Sequence, residues 1–163
     1  MENARLAVGL RRNRQREWPA YKSALSKASG IPENEMRLLQ AEESVRFEKE
    51  LLGKIKEGVR GGVVERTPEL SLEEAASLVA NCIDHSDVAD FVVWLCHGAD
   101  FAFRLHRNLF ANHAFHLLEF DRDTVYAASD DVRCGIGIDL YVSELAHERR
   151  YTVDYWSNRN NQK

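Results

Sequence analysis

The sequence predicts an α+β protein in which N-terminal helices, one of them long, precede a C-terminal four-stranded antiparallel meander packed on helices. Three observations carry this prediction. Apolar residues between about 33 and 60 recur at spacings of three, four and seven, which is one face of a helix. Beyond residue 114 the apolar period drops to two, the signature of strands. The links between those alternating segments are only a few residues long, which suits hairpins and not crossover connections.

Residues 3–16 are mostly good helix formers, with Leu6 and Leu10 one turn apart, and Pro19 ends or restarts that helix. Residues 20–28 read as a short second helix closed by Gly30. The long helix is expected over 33–60, on the stripe Leu38, Ala41, Val45, Leu52, Ile55 and Val59. Glu33/Arg37, Glu42/Arg46 and Glu50/Lys54 support it as four-residue pairs with the acid first. Such a stripe also offers a face for pairing with a second copy of the chain. Gly58, Gly61 and Gly62 then mark a boundary between a helical segment, 1–60, and an α+β segment, 61–157, with 158–163 as a polar tail.

Ser71 stands three residues before Glu74, the capping-box spacing, and opens a helix over 72–82. Helices are expected again at about 88–97, from Val88, Phe91, Val92, Leu95 and Cys96, and at about 100–112. The four strands are expected over 114–121, 124–128, 134–142 and 150–156. Asp121–Asp123 and Ser129–Asp131 supply the turns between them.

The 163 residues are 44 % hydrophobic and 29 % charged, ordinary for a globular chain and unlike a disordered one. No apolar run is long enough to cross a bilayer, no signal peptide is recognisable, and three cysteines make no disulfide framework; a cytoplasmic protein is expected. The net charge of −4 is unevenly spread, with an excess of +5 over residues 1–30 and of −8 over residues 61–163. A basic arm on an acidic body is compatible with a nucleic-acid contact or with an arm folded onto acidic neighbours.

Four groups of residues carry candidate chemistry. His106, His113 and His116 are candidate metal ligands, although their spacing matches no established signature. Glu119, Asp121, Asp123 and Asp139 form a carboxylate group of the kind used in acid–base work or magnesium binding. Restriction-type nucleases add a lysine two residues past such an acid, and here those positions hold Asp123 and Tyr141. Gly135-Ile136-Gly137-Ile138-Asp139-Leu140 resembles the first strand of ribonuclease H-like and actin-like ATPase folds. Those folds continue much further beyond that strand than this sequence does, so the glycines read instead as a bulge or a close backbone approach.

The fourth group is Leu25-Ser26-Lys27-Ala28-Ser29-Gly30-Ile31-Pro32, with Met36, Leu38 and Leu39 following. It resembles the turn of phage-repressor helix-turn-helix proteins over about fifteen residues. The resemblance implies a second helix in the major groove, presenting Glu33, Asn34, Arg37 and Gln40 to DNA. Residues 1–40, with Arg11, Arg12, Arg14, Arg16 and Arg37, would then form the nucleic-acid contact.

No nucleophile elbow, phosphate loop or dinucleotide fingerprint is present, so no catalytic residue is assigned, no cofactor is expected, and the balance is against an enzyme. The expected function is protein binding, by an inhibitor, an immunity protein or an antitoxin-like chain. Its acidic and aromatic C-terminal surface would occlude a basic partner through Asp121, Asp123, Asp130, Asp131, Asp139, Tyr141, Tyr155 and Trp156. A DNA-binding regulator and a histidine-based metal hydrolase are the alternatives.

Overall fold

A computed structural model describes residues 2–61, 63–95, 101–142 and 148–157. It places a seven-stranded antiparallel sheet between two helical layers, in the strand order β1-β4-β3-β5-β6-β7-β2. The strands are β1 (Arg37–Leu38), β2 (Glu65–Arg66), β3 (Asp90–Leu95), β4 (Phe101–His106), β5 (Thr124–Ala128), β6 (Gly135–Val142) and β7 (Arg149–Trp156). The helices are α1 (Glu2–Gln15), α2 (Trp18–Ser29), α3 (Ala41–Gly61), α4 (Leu72–Asp84) and α5 (Arg107–Asp121).

Period-two alternation divides the strands between two cores. Phe91, Val93, Phe103, Leu105, Val125, Ile136, Ile138 and Val153 face α2, α4 and α5, which contribute Leu25, Val79, Ile83, Phe110 and Leu117. Val92, Trp94, Ala102, Ala128 and Trp156 point the other way, onto Leu39 and the α3 residues Phe47 and Leu51.

Several expected elements change type. Residues 33–40 are not helical: Glu33–Glu35 form a single 3₁₀ turn, Met36 is extended, and Arg37–Leu38 pair with Arg104 and Phe103 of β4. The uncovered edge of β4 captures this segment, and the Leu39 amide extends the ladder to the Ala102 carbonyl at 3.0 Å. The long helix therefore begins at Ala41. Its buried stripe is Ala41, Ser44, Phe47 and Leu51, rotated from the expected one, so Leu52 is 46 % exposed.

The expected helices at 88–97 and 100–112 are instead the β3–β4 hairpin and the start of α5. Phe91-Val92-Val93-Trp94-Leu95 is a strand buried on both faces, and such a run is apolar without alternation and mimics helical spacing. The expected strand at 114–121 is the second half of α5. The whole of α5 buries Phe110, Ala114, Leu117, Leu118 and Asp121, a helical repeat that the shorter alternation conceals. The meander is thus three strands of the expected four, β5–β6–β7, joined to four more. The segment around Cys96 and His97 and the tail 158–163 lie outside the described residues.

Other local signals act as their chemistry requires. Gly30 closes α2 in the left-handed conformation, φ 79°, and Pro19 sits in the first turn of that helix. Ser71 and Glu74 form a reciprocal capping box on α4. Gly135 and Gly137 give close approach to aromatic rings rather than a bulge. A Cβ would lie 2.4 Å from the Trp156 ring at Gly135, and 2.5 Å from the Tyr126 ring at Gly137.

Candidate functional site

The β5–β6 turn is where the two cores meet, because Cys134 belongs to one and Val132 and Trp156 to the other. Its backbone is unusual. Val132 has φ 55°, a conformation that a β-branched residue rarely adopts and that costs about 1–3 kcal/mol. The surroundings enforce it: the Val132 amide donates to the Ser129 carbonyl at 2.8 Å, and Trp156 Nε1 donates to the Val132 carbonyl at 2.9 Å. Ser129, itself buried, donates its hydroxyl to Asp131 Oδ1 at 2.7 Å and accepts from the Cys134 amide. Burial opposes the charge on Asp131. The hydrogen bonds from Ser129 and the Arg133 amide, with the Arg133 guanidinium beside them, outweigh that and hold the carboxyl below the usual aspartate range.

Beside this turn lies a cavity of about 290 Å³, between the last turn of α4 and the adjacent ends of β6 and β7. Phe91, Cys134, Ile136, Tyr155 and Trp156 line it, together with Cys82 and His85 from α4 and its cap. Asp87 and Arg133, both well exposed, stand at its mouth 3.9 Å apart, and Arg133 Nε lies 3.5 Å from Asp131. Tyr155 donates its hydroxyl to Glu65 of β2, and this bond followed by burial pushes its pKa up to about 12.

The eight acidic and aromatic residues expected to form one binding surface are divided. Asp130, Asp131, Tyr155 and Trp156 gather at the β5–β6 turn. Asp130 is also paired with Arg104 at 2.9 Å. Asp123, Asp139 and Tyr141 lie towards the opposite end of the strands, where Thr124 is the register partner of Asp139. Two members are not surface groups. Asp121 is 4 % exposed because it closes the buried face of α5, and Trp156 is 3 % exposed because its ring covers Gly135.

Asp139 has its own network. It accepts from Thr124 Oγ1 at 2.6 Å and from Thr152 Oγ1 at 3.4 Å, and burial, reinforced by the charge of Asp154, raises its pKa. Asp154 is buried and receives both Nε and Nη2 of Arg66, at 2.7 and 2.6 Å. Composition alone gave no hint of this pair, since Arg66 and Asp154 are distant in sequence and meet only because β2 adds to β7.

The basic arm lies on α3. Arg11 pairs with Glu48, and Arg12 with Glu42. Arg14 and Arg16 are exposed on the same arm, and Arg37 pairs with Asp90 at 2.6 Å. The second helix implied by the helix-turn-helix resemblance is absent: Glu33 and Asn34 sit in the 3₁₀ turn, Arg37 in β1, and Gln40 just before α3.

His106 caps α5, its Nδ1 accepting from the Asn108 amide. His113 and His116 are one turn apart on α5 with rings 5.9 Å apart, and the helix lengthwise separates them from His106. Among the described residues no group of three or more His, Cys, Asp or Glu is placed to hold a metal ion. Nor is any described helix long and apolar enough to cross a membrane.

No family model, curated protein or solved structure matches this chain. Its own geometry carries the functional reading. The cavity residues Cys82, His85, Asp87 and Arg133 escaped the sequence because they converge only through the packing of α4 on β7 and the pairing of β6 with its neighbours.

Proposed function

We propose that this chain is a protein-binding module, of the inhibitor, immunity or antitoxin-like kind, that occludes a basic partner with the end of the sheet at the β5–β6 turn. One observation carries the reading: exposed Asp87 stands at the mouth of an apolar cavity, and exposed Asp130 and Asp131 lie on the adjoining β5–β6 turn, whose backbone is tied down by hydrogen bonds. The carboxylates steer a cationic surface towards the turn, and their effect falls with salt. The apolar cavity supplies what exposed charges cannot, a desolvated anchor point, and the fixed turn reduces the ordering cost of association.

A nucleic-acid contact through residues 1–40 has less support, since Arg11 and Arg12 already serve Glu48 and Glu42. A second copy of the chain docking along α3 is left without a specific observation in its favour.

The test is affinity capture from a native lysate, one half left untreated and one half treated with nuclease, comparing the wild type with the double variant Asp87→Lys/Asp130→Lys, whose folding is checked by circular dichroism. The expected result is a stoichiometric basic protein, held by the wild type at low salt and lost by the variant. Equal retention by the variant contradicts this surface. Recovery of nucleic acid alone, before nuclease treatment, contradicts the protein-binding reading.

A further inference from the structure

The cavity under the β5–β6 turn has a chemical preference of its own. Phe91, Ile136 and Tyr155, whose side chains belong to the α4-side core, make its walls apolar and aromatic. Cys82 belongs with them: burial, followed by the nearby Glu65 charge, pushes its thiol up to about 11, so it lines the wall as a neutral group.

The mouth is anionic. Asp87 and Asp131 flank Arg133, and Glu65 reaches Tyr155 from β2, so three carboxylates stand against the two guanidiniums of Arg133 and Arg107. The last turn of α4 adds the negative end of its dipole. Two of the chain's own guanidinium groups are already drawn to this corner. Arg107 donates Nη1 to the Ser86 carbonyl and Nη2 to the Ile83 carbonyl, both at 2.7 Å, and Arg133 leans between Asp87 and Asp131.

We infer that the cavity is the socket for one arginine side chain of the protein partner, an inference that rests on the protein-binding reading above. Its 290 Å³ is at the lower limit of the ~300–1,000 Å³ usual for small-molecule sites, room for one long side chain rather than a cofactor. A guanidinium fits this chemistry better than an ammonium. It is planar and weakly hydrated, it stacks on aromatic faces, and it presents a donor fork to a carboxylate. In the complex the partner's arginine pairs with Asp87, and Arg133, held there at only 3.9 Å, turns fully to Asp131.

The experiment is an NMR titration of the labelled full chain with N-acetylarginine methylamide. The citrulline analogue, nearly the same shape without the charge, is the control. Saturable shifts are expected at the Trp156 indole N–H and the Cys134 and Gly135 amides, with none for citrulline. Asp87→Asn should weaken arginine binding about fivefold at the same resonances. Equal binding of citrulline, shifts that never saturate, or shifts confined to another part of the chain overturn the socket. Because the probe is a single amino acid, its failure leaves the capture result standing. A saturable arginine site with no captured protein would instead overturn the protein-binding reading alone.

Discussion

Towards α2, α4 and α5 the sheet turns a dry layer of Phe91, Phe103, Val125, Ile138 and Val153. Towards α3 it turns Val92, Trp94, Ala128 and Trp156, and in the rows beyond them Thr124, Asp139, Thr152 and Asp154. The first face is held by apolar burial, so its stability depends on volume and shape. The second combines aromatic rings laid across glycines with charges taken partly out of water, so it depends on clearance and pairing. The β5–β6 turn joins the two. Anchored in both cores, it can keep Val132 in an unfavourable conformation and still present Asp130 and Asp131 to solvent.

This contrast can be broken most severely on the dry face. Phe103→Ala removes a fully buried ring and should cost about 3–5 kcal/mol, measured by denaturant unfolding. On the opposite face the same sensitivity arises from adding atoms. Gly135→Val should cost about 3 kcal/mol, because its Cβ would meet the Trp156 ring at 2.4 Å and the Ala127 carbonyl at 2.8 Å. A loss of packing should accompany it, read as increased solvent exposure of Trp156 in NMR or fluorescence.

Arg66→Met leaves the buried Asp154 carboxylate without its guanidinium. Fully buried pairs broken in this way cost ~3–5 kcal/mol; half-exposed Arg66 should cost about 2 kcal/mol by the same unfolding measurement.

Asp139 gives the smallest effect and a sign. Its folded pKa is raised, chiefly by burial, so the folded state holds the proton more tightly than the unfolded chain. Its contribution is therefore fully present below the ordinary aspartate value and is lost as pH rises through the folded value. Asp139→Asn should flatten that part of the stability profile and leave the variant relatively more stable at neutral pH. An unchanged profile would remove Asp139 as the source.

The same division explains what could be read from sequence. β6 and β7 were legible because Ile136, Ile138 and Leu140, and Tyr151, Val153 and Tyr155, alternate cleanly with residues of the mixed face. β3 was not, since both its faces are buried and Val92-Val93-Trp94 carries no polar beat. α4 was legible from the Ser71/Glu74 box, a local device, whereas the start of α3 was not, because tertiary pairing of Arg37 and Leu38 with β4 overrode the helical period. The acidic turn was visible as Ser129-Asp130-Asp131. Its neighbours Cys82, His85, Asp87 and Arg133 were not, since no local spacing relates α4 to the end of β6. Burial is not legible where a ring covers a glycine, at Trp156, or where a carboxylate closes a helix against the core, at Asp121, because neither contact is local in sequence.

Hydrogen–deuterium exchange of the full chain, alone and with its captured partner, tests the central claim most directly. The account predicts added protection at residues 129–135 and at 84–88, the two sides of the cavity mouth, with 11–16 and 139–142 unchanged. Protection confined to α1 or to the Asp139 end of the sheet, with the β5–β6 turn still exchanging freely, would contradict it.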